Sequence, residues 1–125
     1  MPTVAAIFTA QTPVELVKQL FGELLPDCRV ISIMDDSISV DAARAGGVTP
    51  AIARRLIRYY LAAEETGAHL IFNTCSTIGD IAIMARTFVK IPIVKIDDSM
   101  VAEALSIGTR VGVVGTVATT LAPTS

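Results

Sequence analysis

Five short runs built on Val, Ile, Leu and Phe recur along the chain, at Val4–Phe8, Arg29–Ile33, Leu70–Phe72, Ile93–Ile96 and Val111–Val114. Continuous runs of this kind, rich in β-branched residues, read as strands covered on both faces of a sheet. The stretches between them carry helix-start chemistry. Thr12-Pro13-Val14-Glu15 puts a hydroxyl at the N-cap, proline at the first helical position and Glu three residues past the cap. Leu16, Leu20 and Leu24, with Val17 and Phe21, give that helix an apolar face ending before Pro26. Thr49-Pro50 opens a second helix, where Ile52, Leu56 and Tyr60 recur every four residues and Gly67 is the stop. A third start lies at Thr77–Asp80, with Ile78, Ile81, Ala85 and Phe88 as the buried stripe, and a fourth helix runs from Asp97-Asp98-Ser99 to about Gly108. Asp35–Gly47, with its three aspartates and the Gly46-Gly47 pair, is the most loop-like stretch.

An order of β-α-β-α-β-α-β-α-β demands parallel strands joined by right-handed crossovers. It predicts an α/β fold, a flavodoxin-like doubly wound parallel sheet of about five strands with helices on both faces, in a single domain over residues 1–125. A composition 52% hydrophobic but only 5% aromatic, without Trp, gives this sheet an aliphatic core and excludes a disordered chain. A net charge of −2 excludes a general polyanion surface, so no nucleic acid partner is expected. The longest uncharged runs, Met1–Val14, Thr66–Gly79 and Val111–Ser125, are too short and too polar to span a bilayer. The first basic residue is Lys18, so no signal peptide with a charged start is visible. The expectation is a cytoplasmic protein with no membrane partner. After the fifth run, Gly115–Thr120 again looks like a turn opening a helix, and Ser125 comes before about two turns are complete. This suggests half of something larger.

In open α/β sheets ligands bind beyond the carboxyl ends of the strands. Those ends read Thr9–Thr12, Asp35-Asp36-Ser37, Asn73–Thr77, Asp97-Asp98-Ser99 and Gly115–Thr120. Three of them are dense in hydroxyls and free of Lys and Arg, a composition suited to a small anion such as a carboxylate or phosphate, although each Ser or Thr alone also serves as a helix cap. Cys75 is the sharpest residue. It falls just after the third strand and before a helix, a position that lowers a thiol pKa and fits a base, a nucleophile or a redox thiol as well as a small core residue. His69 precedes it by six residues, roughly 20 Å along an extended chain, so a Cys–His dyad is excluded. Cys28 falls at the start of its strand, on the opposite rim, so no disulfide with Cys75 is expected and its role is packing. One His and isolated cysteines give no metal-ligand spacing. The glycines of Gly112–Thr116 match neither nucleotide-loop pattern. Arg54, Arg55 and Arg58 read as a solvated helix face.

Asn73-Thr74-Cys75-Ser76-Thr77, followed by Arg110-Val-Gly-Val-Val-Gly-Thr116-Val-Ala-Thr119-Thr120, resembles the aspartate/glutamate/hydantoin racemase superfamily. Asp35-Asp36-Ser37, Gly47-Val-Thr-Pro50, Ile91-Pro-Ile-Val and the helix at Asp97–Leu105 are similar to it too, so the resemblance spans essentially the whole chain. It implies a two-domain, pseudo-symmetric, cofactor-independent enzyme, of which this chain is the N-terminal half. One cysteine from each half faces the substrate Cα. Cys75 would be the first-half base, with Asn73, Thr74, Ser76 and Thr77 holding the amino or carboxylate group of the substrate. Thr116, Thr119 and Thr120 would take the carboxylate, and Gln11 and Thr12 line the site from the first-strand loop. The second cysteine would belong to a missing second half, so two-base racemisation within one copy of the 125-residue chain is not expected; a homo-oligomer is expected. Phe8–Thr12 lacks the Asp-Ser-Gly pattern of glutamate racemases proper, which favours another branch. The implied reaction is racemisation or epimerisation of an amino acid or related carboxylate. The rivals are a maleate isomerase-like or decarboxylase relative and a non-catalytic carboxylate-binding half-domain.

Overall fold

The computed structural model describes residues 1–114, 119 and 123. Four parallel strands, β1 (Thr3–Phe8), β2 (Arg29–Met34), β3 (Leu70–Asn73) and β4 (Ile93–Lys95), form one sheet in the order β2-β1-β3-β4. Helix α1 (Thr12–Leu24) joins β1 to β2. Helices α2 (Ser37–Ala45) and α3 (Pro50–Glu65) carry the chain back across β1 to β3. A 3-10 turn at Ser76–Ile78 runs into α4 (Gly79–Ala85), and α5 (Asp98–Ile107) follows β4.

The doubly wound arrangement shows in the side chains of β1. Ala5 and Ile7 point into a large core with Ile38 and Ala42 of α2, Ile52, Leu56 and Tyr60 of α3, Ile81, Ala82 and Ala85 of α4, and Ile71 and Ile93. Ala6 and Phe8 point the other way, toward Val17 of α1, with Val14, Phe21, Val30 and Phe72 around them. Successive residues of a strand face opposite sides, so β1 is buried from Val4 to Phe8 because helices lie on both.

Five details depart from the sequence reading. The loop-like stretch at Asp35–Gly47 contains α2. Its signal is the pair Ile38 and Ala42, four apart and both buried, and Gly46, at φ 75°, closes it in the left-handed region that glycine adopts without strain. The N-cap of α1 is Gln11 rather than Thr12: Gln11 already has helical dihedrals, Thr12 is the first helical residue, and no side chain caps the turn. Its inward stripe is the buried Val17 with the half-buried Val14 and Phe21, whereas Leu16, Leu20 and Leu24 are exposed. The ring of Phe21 against Phe72, centroids 5.8 Å apart, fixes which side of this broadly apolar helix faces the sheet. Phe88, expected in the α4 stripe, lies beyond the end of that helix and is exposed.

Val111–Val114, expected as a fifth strand, is not a strand, and Val114 is 98% exposed. The segment lies beside α5 instead of along β4: Met100, Val101, Ala104 and Leu105 face it across a groove of about 690 Å³. Other boundaries match. Thr49 caps α3 by accepting from the Ile52 N–H at 3.3 Å, Gly67 follows its end with φ 81°, and α5 stops at Gly108. Among the described residues no helix is long and apolar enough to cross a membrane.

Candidate functional site

Strand order places the site. From β1 the chain winds outward to β2, and from β3 it winds the opposite way to β4, so the loops after β1 and β3 diverge at the carboxyl rim. A crevice opens at such a switch point. Thr74 closes its floor: its N–H and its hydroxyl both donate to the Ile7 carbonyl, at 3.2 and 2.8 Å. Cys75, half-buried and extended at φ −117° and ψ 120°, heads the 3-10 turn directly above that floor.

Asn73, expected to touch substrate, is fully buried. Its amide accepts from the Tyr60 hydroxyl at 3.0 Å and donates to the Cys75 carbonyl at 3.1 Å. Ser76 reaches the buried Asp97 in a long hydrogen bond of 3.5 Å. Thr77 is buried, and its hydroxyl lies 3.1 Å from that of Thr119, so the two threonine-bearing motifs, forty-two positions apart, meet on one rim. Thr116 and Thr120 lie outside the described residues. Gln11 and Thr12 are exposed at the mouth, and Gln11 donates to Asp36 at 3.0 Å. Ser39 of α2 donates to the Thr9 carbonyl at 2.9 Å, tying α2 to the loop after β1.

At the opposite rim His69 pairs with Thr3, its Nδ1 accepting from the Thr3 N–H at 3.0 Å. Cys28 is there too, just before Arg29, whose N–H donates to the Pro2 carbonyl at 2.8 Å. Both cysteines are free thiols. Among the described residues no three His, Cys, Asp or Glu side chains gather as a metal site.

Cations do reach the carboxyl rim, where the strand-end loops had none to offer: Lys95, Arg55 and Arg86, the last 3.1 Å from Asp98. Lys95 ends β4, its ammonium 3.6 Å from Asp98. Arg55 is not part of a purely solvated face: it donates to Asp41 and to Ser37, both at 2.9 Å, and lies 3.6 Å from Asp35. Tyr59 donates to the other side of this cluster, to Asp35 at 2.6 Å. The signal in the sequence was the run Asp35–Ser37 set against Arg55 and Tyr59, four apart on one helix face. Each cation already has a carboxylate partner, and the polar side chains that follow one another around Cys75 are hydroxyls: Thr74 on the Ile7 carbonyl, Ser76 on Asp97 and Thr77 beside Thr119.

Burial works against charge on Asp35, yet the hydrogen bonds from Ser37 and Tyr59, with Arg55 beside them, outweigh it and hold the carboxyl below its ordinary 3.8. The same bond is the main reason that Tyr59 titrates above its ordinary 10.0, burial adding to it. A carboxyl whose pKa is lower folded than unfolded stabilises the fold above the unfolded value and loses that contribution as pH falls through the folded one. Asp35→Asn is therefore expected to melt earlier than the wild type at neutral pH, with the gap closing below pH 3.8. Thermal melts of both proteins across that range check it, and a gap independent of pH would contradict it.

A search of curated proteins finds no match to this sequence. The family model described as Asp/Glu/hydantoin racemase matches residues 9–124, from the loop after β1 through both threonine-bearing motifs. With an all-parallel sheet of the same α/β class and nearly the whole chain inside the match, this protein belongs to the Asp/Glu/hydantoin racemase family.

Proposed function

We propose that this chain is the N-terminal half of a cofactor-independent racemase or epimerase acting on an amino acid or a related carboxylate, with the Cys75 thiolate as the proton-transfer base. The observation that carries the reading is the presentation of Cys75 at the β1–β3 switch point, with the Thr77–Thr119 hydroxyl pair on the same rim. Membership of the family supports a racemase or related isomerase.

The chemistry suits such a rim. A Cα–H beside a carboxylate is a weak acid, so its removal requires donors aimed at the charge that develops on the carboxylate oxygens. Ser76 and the Thr77–Thr119 pair are neutral donors that orient the carboxylate without an ammonium or guanidinium competing for the thiolate. Cys75 takes the proton from one face of Cα. Inversion then needs a proton delivered to the opposite face by a second acid. Cys28 is not that group, since it lies at the amino end of the sheet. The resemblance assigns it to a cysteine of a second, similar half, and a second copy of this chain is the other source.

Incubation of the protein in D2O with aspartate, glutamate and a 5-substituted hydantoin, each read by mass spectrometry and chiral chromatography, tests the proposal. One deuteron gained at Cα by any of them is the expected result. Adduct formation at Cys75 with maleate, without Cα exchange, would replace the base by a nucleophile.

A further inference from the structure

We propose that Tyr60 is a positioning residue for Cys75, acting through the Asn73 amide to fix the backbone that presents the thiol. The inference rests on the reading of Cys75 as the reacting group, and it extends that reading to a side chain in the core of the domain.

The geometry has a single polarity. A backbone carbonyl only accepts, so the Cys75 carbonyl must face the Asn73 Nδ2 group, 3.1 Å away. The Asn73 Oδ1 atom is then turned toward Tyr60, whose hydroxyl must donate across the 3.0 Å contact. Tyr60 and Asn73 are both fully buried, so water does not substitute for either partner. Burial first, and the nearness of Cys75 second, push the phenol well above its ordinary range, so the proton needed for this chain of bonds stays in place. The other end of the Asn73 residue is anchored as well: its carbonyl accepts from the Ile96 N–H at 2.9 Å.

Tyr60 thus reaches from α3, beneath the sheet, to the loop at the rim. Ile52 and Leu56, on the same stripe of α3, are apolar and meet the same core. A phenylalanine would fill the space of Tyr60 as well as they do theirs. The hydroxyl is the part that packing does not require, and the Asn73 amide is what it holds. Tyr59, its sequence neighbour, turns to Asp35 at the end of β2 and makes no such link.

The test needs no substrate. In the full chain carrying Cys28→Ser, so that one thiol remains, the rate of alkylation of Cys75 by iodoacetamide is measured by intact mass from about pH 6 to about pH 10, a range that spans the ordinary thiol pKa of about 8.5. Tyr60→Phe is expected to change the plateau rate, reached at high pH where the thiolate is fully formed, by about three- to tenfold, as loss of one orienting hydrogen bond of roughly 1 kcal/mol allows. Tyr59→Phe, measured beside it, is expected to leave the rate and its pH midpoint unchanged. Equal profiles for Tyr60→Phe and the unaltered chain would overturn the proposal. Should Tyr60→Phe fold poorly, protection of the Asn73 side-chain amide protons from solvent exchange decides the matter in the wild type: slow exchange is expected, and exchange as fast as that of a surface amide overturns it. A changed alkylation rate without Cα exchange in the substrate assay would refute the racemase reading while leaving the positioning role in place.

Discussion

Cys75→Ser is expected to reduce Cα–H exchange by about 10²- to 10⁴-fold, the usual contribution of a positioned general base. A serine hydroxyl has nearly the size of the thiol but is not ionised in the neutral range, so the variant keeps the shape of the site and loses the base. Cys75 is half-buried against the large core, and its carbonyl bond to Asn73 does not involve the side chain. The fold should therefore lose no more than about 1 kcal/mol. Cys28→Ser, at the other end of the sheet, provides the matched control and is expected to exchange at the wild-type rate. Retained exchange in Cys75→Ser would move the base to another group on the rim. Equal loss in both variants would mean that thiol chemistry at the crevice is not what is being measured.

The largest effect on stability is expected from Leu56→Ala, at about 2–5 kcal/mol. Leu56 is fully buried and shares its cluster with Ala5, Ile7 and Ile71 of the two central strands and with Tyr60 on its own helix. That cluster is rich in alanine, at positions 5, 42, 63, 68, 82 and 85. Such close-packed small side chains have little length with which to reach into a new void, so the cavity would persist and the cost would fall toward the upper end. Total stabilities of single domains are about 5–15 kcal/mol, which makes this one truncation a large fraction of the whole. Leu16→Ala, on the exposed side of α1, should cost under about 0.5 kcal/mol. Urea denaturation of the two variants separates them, and similar midpoints would place the core of the sheet elsewhere.

The contrast between Leu56 and Leu16 also marks what could be read from residues in order. Helix α3 was legible because its apolar positions leave one stripe and its cap and stop are unambiguous. Helix α1 was legible as a helix but not in its orientation. It is apolar over more than one face, and the choice between Leu16–Leu20–Leu24 and Val14–Val17–Phe21 is made by Phe72, a residue of a distant strand. Helix α2 was hidden by the aspartates and serines in it and just before it, whose local hydrogen bonds compete with helix formation. Here Asp35 turns them to use by accepting from the Ser37 N–H at 3.0 Å at the helix start. Four strands could be found from apolar runs. The fifth run has the same composition, but composition does not say whether a sheet edge or a helix lies next to it.

The site divides in the same way. Cys75 and Thr77 could be singled out from their place between a strand and a helix, and the meeting of Thr77 with Thr119 agrees with the two motifs acting together. The inward turn of Asn73 could not be read, because it depends on Tyr60 reaching across from α3. The pairing of Arg55 with Asp35, Ser37 and Asp41 was missed for a related reason. The glutamates on its own helix stand nearer to Arg55 in sequence than Asp35, Ser37 and Asp41, and they drew the reading toward a solvated face.

Strand order has a last consequence, for how the protein is made. Of the four strands of the sheet, central β1 is synthesised first. Its edge toward β2 can be satisfied early, since Thr3 pairs with Arg29, but its other edge waits for Leu70 to meet Val4. At about 5–20 residues per second that wait lasts several seconds. Through that interval the β1-α1-β2 unit is the one part of the sheet whose strands have both been made, and it carries an apolar strand with an unsatisfied ladder along one side. Closing the longer loop adds little entropy, about 0.6 kcal/mol for each doubling of length. The delay is thus one of supply rather than of free energy. Until β3 arrives, the open side of Thr3–Phe8 is the surface that a chaperone, or the same strand on a neighbouring nascent chain, meets first.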